Sequence, residues 1–234
     1  MRAADRSLMP VVILEFDDVL AETRPHRLAA LRAALKPEGM ELGEERFEAL
    51  CPGLSFEAAL HALSRSGDTF LDPVAQSLAA HHADREFATT AARGFRLAPG
   101  ARDFVLASAG VARLAIVTRS SRRDVDVTLA LSDLTQAFEC VIALEDYSGA
   151  EPSPTPFTSV ITRLASRSAV TIGDSVALVA SINAVAAARA ARFRPIVVGP
   201  VLPNVAFAGD ACLPTLEGVR VHDLVRLAEQ ARAK

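Results

Sequence analysis

The stretch that most constrains the fold is Val11 to Thr23, VVILEFDDVLAET, where an apolar run stops abruptly at a group of acids. Val11, Val12, Ile13 and Leu14 are largely β-branched and show no polar alternation. That pattern predicts a short strand buried on both faces, as in a parallel sheet. Glu15, Asp17 and Asp18 follow at once. In open α/β sheets ligands bind outside the carboxyl ends of the strands, so these acids mark a candidate site.

The rest of the chain alternates. After Glu22 the pattern turns helical: Thr23 suits an N-cap, Pro25 fits a first turn, and Leu28, Leu31 and Leu35 recur at helical spacing. Further helices are predicted at Glu44 to Leu50, Ser55 to Ser64 and Pro73 to Ala92, with no strand-like run between Glu22 and Arg93. Pro99-Gly100 then punctuates the chain, and a helix follows from Ala101 to Ala109. Strands are predicted at Leu114 to Val117, Cys140 to Leu144, Ala169 to Ile172 and Pro195 to Val198. Helices separate them: one through Val125 and Leu129, one over Phe157 to Leu164, and an Ala-rich one over Val176 to Ala191. Leu216 to Ala231 supplies a strand-like piece and a last helix. Strands alternating with helices imply an α/β fold, a Rossmann-like doubly wound parallel sheet with an inserted all-helical domain. The expected core spans residues 1–20 and 96–234, and the helical insert spans 21–95.

Composition narrows the function classes. The net charge is −3, and the largest basic group is only Arg119 with Arg122 and Arg123, so no nucleic-acid footprint is expected. Three widely spaced cysteines, Cys51, Cys140 and Cys212, make neither a disulfide framework nor a zinc site, which points to a reducing cytoplasm. The first ten residues do not lead into a signal-peptide core. The apolar Val176–Ala191 stretch is shorter than a membrane span and is broken by Asn183 and Arg189, so no membrane partner is expected.

Polar residues gather at the expected strand ends: Glu15, Asp17 and Asp18; Thr118, followed by Arg119 and Ser120; and Asp174 in Gly173-Asp174-Ser175. Glu151 lies in a proline-rich turn. Acids joined by a hydroxyl at converging strand ends point to a magnesium and phosphate site. Other residues carry less. His81 and His82 are adjacent and point to different helix faces, Cys51 lacks a local base, and Tyr147, Phe56 and Phe70 are expected to pack. Walker-type, Gly-x-Gly-x-x-Gly and His-Glu-x-x-His motifs are absent.

These residues in this order resemble the haloacid dehalogenase superfamily, in the helical-cap branch that includes β-phosphoglucomutase-like and phosphoglycolate-phosphatase-like enzymes. The family's first motif, Asp-x-Asp-Gly-Val/Thr-Leu, stands here as Glu15-Phe16-Asp17-Asp18-Val19-Leu20. The second ends at Thr118. The third, usually Lys-Pro-x-Pro-Asp, is Glu151-Pro152-Ser153-Pro154-Thr155. The fourth is matched to Gly173-Asp174-Ser175. The resemblance implies that Glu15 takes the place of the nucleophilic aspartate, Asp17 is acid and base, and Thr118 is a further catalytic residue. Glu151 replaces the steadying lysine. It further implies magnesium on Glu15, Asp17 and Asp174, in a site weakened because the fourth motif supplies one acid. Asp18 stands at the family's glycine, and Asp18, Arg119 and Ser120 are the expected ligand contacts, with Arg119 reaching toward Glu15 or Glu151.

Two departures bear on activity. Glutamate is a competent nucleophile but one methylene too long, and a misplacement of about 1 Å can cost about 10²-fold. An anion in place of the lysine removes an electrostatic partner worth about 10²–10³-fold. The expectation is a member with degenerate motifs and little or no phosphohydrolase activity, taking a small phosphorylated or anionic molecule. The alternative is a magnesium-dependent phosphatase that uses Glu15 as nucleophile.

Overall fold

The structure is a computed structural model; it describes residues 9–66, 71–148, 152–166, 170 and 175–232. Six strands are seen: β1 (Val11–Glu15), β2 (Arg113–Val117), β3 (Cys140–Ile142), β4 (Val176–Val179), β5 (Arg194–Val198) and β6 (Ala211–Leu213). They form one sheet in the order β3-β2-β1-β4-β5-β6, and every neighbouring pair is parallel. The strand order reverses between β1 and β4, so the crevice outside their carboxyl ends is the switch point where such sheets place ligands.

The double-sided burial expected of β1 is observed. Val12 and Leu14 point into one core and Val11 and Ile13 into the other. The second core is closed by Phe157, Val160 and Leu164 of α7 (Thr155–Ala165) and by Val185 and Ala188 of α8 (Ile182–Ala190). The first is closed by α5 (Ala101–Ala107), α6 (Arg122–Leu131) and α10 (Val221–Arg232).

Between β1 and β2 the described chain is helical: α1 (Arg24–Leu35), α2 (Glu44–Leu50), α3 (Phe56–Arg65) and α4 (Pro73–Ala91). These helices form a cap at the carboxyl edge of the sheet. Caps on their first turns explain where two of them start: the Ser55 side chain accepts from Ala58 N, and Asp72 accepts from Val74 N and Ala75 N just before Pro73. The cap enters and leaves the core through a pair of short crossings, with Glu22 N donating to Arg96 O and Ala98 N to Leu20 O at 2.9 Å each. Cap and core share apolar packing: Phe95 stacks on Phe87 of α4 at 5.0 Å and meets Phe16 edge-on at 6.1 Å.

The fold departs from the sequence reading in the fourth unit. The strand lies at Val176–Val179, in register with Val12, Ile13 and Leu14 of β1, and the helix is only Ile182–Ala190. The expected strand Ala169–Ile172 and Gly173-Asp174 fall outside the described residues, save Val170, which belongs to no strand or helix. The alanine-rich pattern hides the break, because Ala suits a helix and Val176 to Val179 adds apolar residues without interruption. Ser181 makes the break by capping α8, its side chain accepting from Ala184 N. Toward the end of the chain, α9 (Pro203–Ala208) and β6 lie ahead of the stretch where the last strand is expected.

Gly100 opens α5 at φ +77°, and a Cβ there would stand 2.2 Å from Glu217 N. Gly100→Ala is expected to cost about 2–4 kcal/mol in urea unfolding, since it adds backbone strain to a clash with main chain that cannot move aside.

Candidate active site at the ends of β1 and β4

The carboxyl end of β1 delivers Glu15 and Asp17 to the crevice. Glu15 is 6% exposed, and its Oε2 accepts from Ala180 N at 2.8 Å. Ala180 is the first residue past β4, so the strand end facing Glu15 presents a methyl group and an amide and no carboxylate. Burial, only partly offset by that hydrogen bond and reinforced by the negative charges of Asp17 and Asp18, pushes the Glu15 carboxyl up to about 8. Glu15 therefore holds its proton at neutral pH.

Asp17 anchors a hydroxyl cluster. Its Oδ1 accepts from Thr23 Oγ1 at 2.9 Å and Ser120 Oγ at 3.0 Å, and its Oδ2 accepts from Thr118 Oγ1 at 2.6 Å. Three of about four acceptor positions on the carboxylate are thus filled. Thr118 Oγ1 also accepts from Ser120 N at 2.9 Å. The expected contacts Thr118 and Ser120 do converge on Asp17.

Asp18 sits at φ 66°, a left-handed conformation that aspartate tolerates better than most residues. Its Oδ1 accepts from Thr23 N at 3.2 Å and Arg24 N at 2.8 Å, so Asp18 caps the start of α1. Thr23 occupies the N-cap position as expected but makes no side-chain cap, because its hydroxyl is committed to Asp17.

Two arginines of α1 complete the recess, and neither was among the sequence candidates. Arg24 Nε donates to Asp18 Oδ2 at 2.9 Å, Nη1 to Glu48 Oε2 at 2.9 Å, and Nη2 to Ala180 O at 3.1 Å. Arg27 is buried. Its Nη2 donates to Leu54 O at 2.6 Å, its Nη1 lies 3.9 Å from Asp17 Oδ1, and its guanidinium sits 4.4 Å above the Phe56 ring. One signal was present: two cations near the start of a helix oppose its dipole and call for carboxylates close by.

Arg119 lines the same recess as Glu15, Asp17, Arg24 and Arg27 and stacks 4.6 Å above the Tyr147 ring. Tyr147 donates its hydroxyl to Thr118 O at 2.8 Å. Glu151 and Asp174 lie outside the described residues. Ser175, the described end of that expected motif, accepts from Val11 N at 3.0 Å, at the opposite, amino end of β1.

The cap closes the recess. Asn183 Nδ2 donates to Pro52 O at 2.9 Å, and Gly53 (φ +76°) sits so near Ser181 that a Cβ would lie 2.1 Å from its hydroxyl. The enclosed space is about 10 Å³, room for roughly one water. Magnesium asks for several hard oxygen ligands. Here Glu15 Oε2 is taken by Ala180 N, Asp17 is largely committed to three hydroxyls, and Ala180 has no carboxylate. Among the described residues no group of three or more His, Cys, Asp or Glu is arranged to hold a metal. The residues described do not fit magnesium.

Residues 12–196 match the family model for haloacid dehalogenase-like hydrolases. The chain belongs to that family. No curated protein matches it closely enough to count as a relative. Among solved structures, β-phosphoglucomutase from Clostridium difficile superposes with a TM-score of 0.79 at 12% identity, covering 97% of this chain and 100% of that one. CbbY from Rhodobacter sphaeroides, solved with xylulose-(1,5)bisphosphate, gives 0.74 at 21% identity over 93% and 99%. A predicted phosphoglycolate phosphatase from Haemophilus somnus gives 0.70 at 15% identity over 89% and 95%. At these identities the likeness establishes the shared fold. No described helix is long and apolar enough to cross a membrane.

Glu15 makes stability fall as pH rises. Between its ordinary value of 4.5 and about 8 the unfolded chain has released this proton while the folded chain keeps it. Glu15→Gln should therefore match wild type near pH 4.5 and exceed it at pH 8, by on the order of 3 kcal/mol in denaturant titrations. Parallel pH profiles for the two proteins would contradict the burial of a protonated Glu15.

Proposed function

We propose that this chain is a haloacid dehalogenase-like protein with degenerate catalytic motifs and little or no phosphohydrolase activity. The observation that carries this reading is the Glu15–Ala180 contact. The residue in the nucleophile's place is bonded to a backbone amide, and no second acid faces it from β4. On this reading the fourth-motif place is Val179-Ala180-Ser181, at the strand-to-helix turn, and alanine stands where a metal-binding acid is needed. A protonated glutamic acid is also a poor nucleophile, since attack needs the carboxylate.

The same recess supports binding of a small phosphorylated or anionic molecule. Arg24, Arg27 and Arg119 line it, and guanidinium groups suit phosphate and carboxylate. CbbY, a neighbour in fold, has been solved with phosphate. The recess itself holds about one water, and a larger cavity of about 970 Å³ adjoins it between Leu54 and Phe56 of the cap and Tyr147 and Asn183 of the core.

The test is hydrolysis of p-nitrophenyl phosphate with magnesium chloride. Wild type should turn over no faster than Asp17→Asn. Glu15→Asp/Ala180→Asp/Glu151→Lys, which restores an aspartate, a second acid and the cation, should gain at least about 10²-fold over wild type. Efficient magnesium-dependent turnover by wild type, with phosphate trapped on Glu15, would instead establish the phosphatase reading.

A further inference from the structure

We infer that the Arg24 guanidinium is the resident cation of this centre, a latch built into the chain that holds the cap shut where its relatives' chemistry calls for a metal. The fork spans four separate segments. Nε is held by Asp18 in the β1 turn, Nη1 by Glu48 on cap helix α2, and Nη2 by Ala180 O at the end of β4. Nη1 also lies 3.5 Å from Pro200 O, past the end of β5. Three of these partners belong to the core side and one to the cap. The planar fork fits them all at once, which a compact lysine ammonium could not do.

Arg27 adds a second tie, from α1 to Leu54 O in the cap loop and toward Asp17. Arg24 differs in reaching the residues just past β4 and β5. Its pairs with Asp18 and Glu48 are largely shielded, at 17% exposure for the arginine and 18% and 26% for the acids. Shielded charge-assisted bonds of this kind are stronger than surface pairs and less screened by salt. The latch goes beyond the loss of hydrolysis, because closure by Arg24 holds whether or not any turnover survives.

Amide hydrogen exchange reads the latch directly. Two amides report closure: Leu54 N, bonded to Cys51 O in the cap loop, and Ala180 N, bonded to Glu15 beneath it. In Arg24→Ala both should exchange about 10- to 100-fold faster, the loss expected for charge-assisted bonds. Amides inside the sheet, such as Ile13 and Ile116, should not change. Guanidinium chloride at low, non-denaturing concentration should restore protection in Arg24→Ala, and sodium chloride at equal ionic strength should not. Unchanged exchange at both amides, or equal effects of the two salts, overturns the inference. Should Arg24→Ala fail to fold, Arg24→Lys keeps the charge and loses the fork; faster exchange at Ala180 supports the latch and unchanged exchange refutes it.

Discussion

The site depends on how two strand ends meet. β1 ends in a carboxyl group and β4 ends in a backbone amide, and the sheet register presses one against the other. A carboxylate there would be a largely desolvated anion with no cation in direct contact. Dehydrating an ion costs several kcal/mol, whereas keeping the proton costs about 1.4 kcal/mol for each pH unit above the ordinary value of 4.5. Protonation is the cheaper solution. A group that stays protonated for this reason is well placed to pack and poorly placed to attack.

The end of β4 presents no acid, and the acids around the crevice pair with other elements. Asp17 turns to hydroxyl donors from β1's turn, from the β2 end and from Ser120. Asp18 turns to the start of α1 and to Arg24. The positive charge comes from α1, and because α1 belongs to the cap, neutralising the core acids also pulls the cap down. Chemistry and closure are therefore linked through the same two arginines. The Pro52–Leu54 loop follows them, with Leu54 O on Arg27 and Pro52 O on Asn183.

The sequence was most informative where one residue pattern had one physical meaning. Val11 to Leu14 could only be a doubly buried strand, and the helical interval after it could only be an insert. Thr118 and Ser120 followed from their place at a strand end. The β4 register was hidden, because Val176 to Ala191 reads equally as one apolar helix and only Ser181 marks the break. Arg24 and Arg27 were missed for a different reason: a basic residue on an amphipathic helix usually faces water, and only the fold reveals that these two face carboxylates. Thr23 was read as a cap; the structure gives the capping to Asp18 and the hydroxyl of Thr23 to Asp17.

On the proposed reading the described donors leave no place for a divalent metal. Calorimetric titration of magnesium chloride into the unliganded protein at neutral pH tests it most directly. The account predicts heats no larger than those of dilution, for wild type and for Glu15→Gln alike. A saturable one-to-one isotherm in wild type that disappears in Glu15→Gln would contradict it.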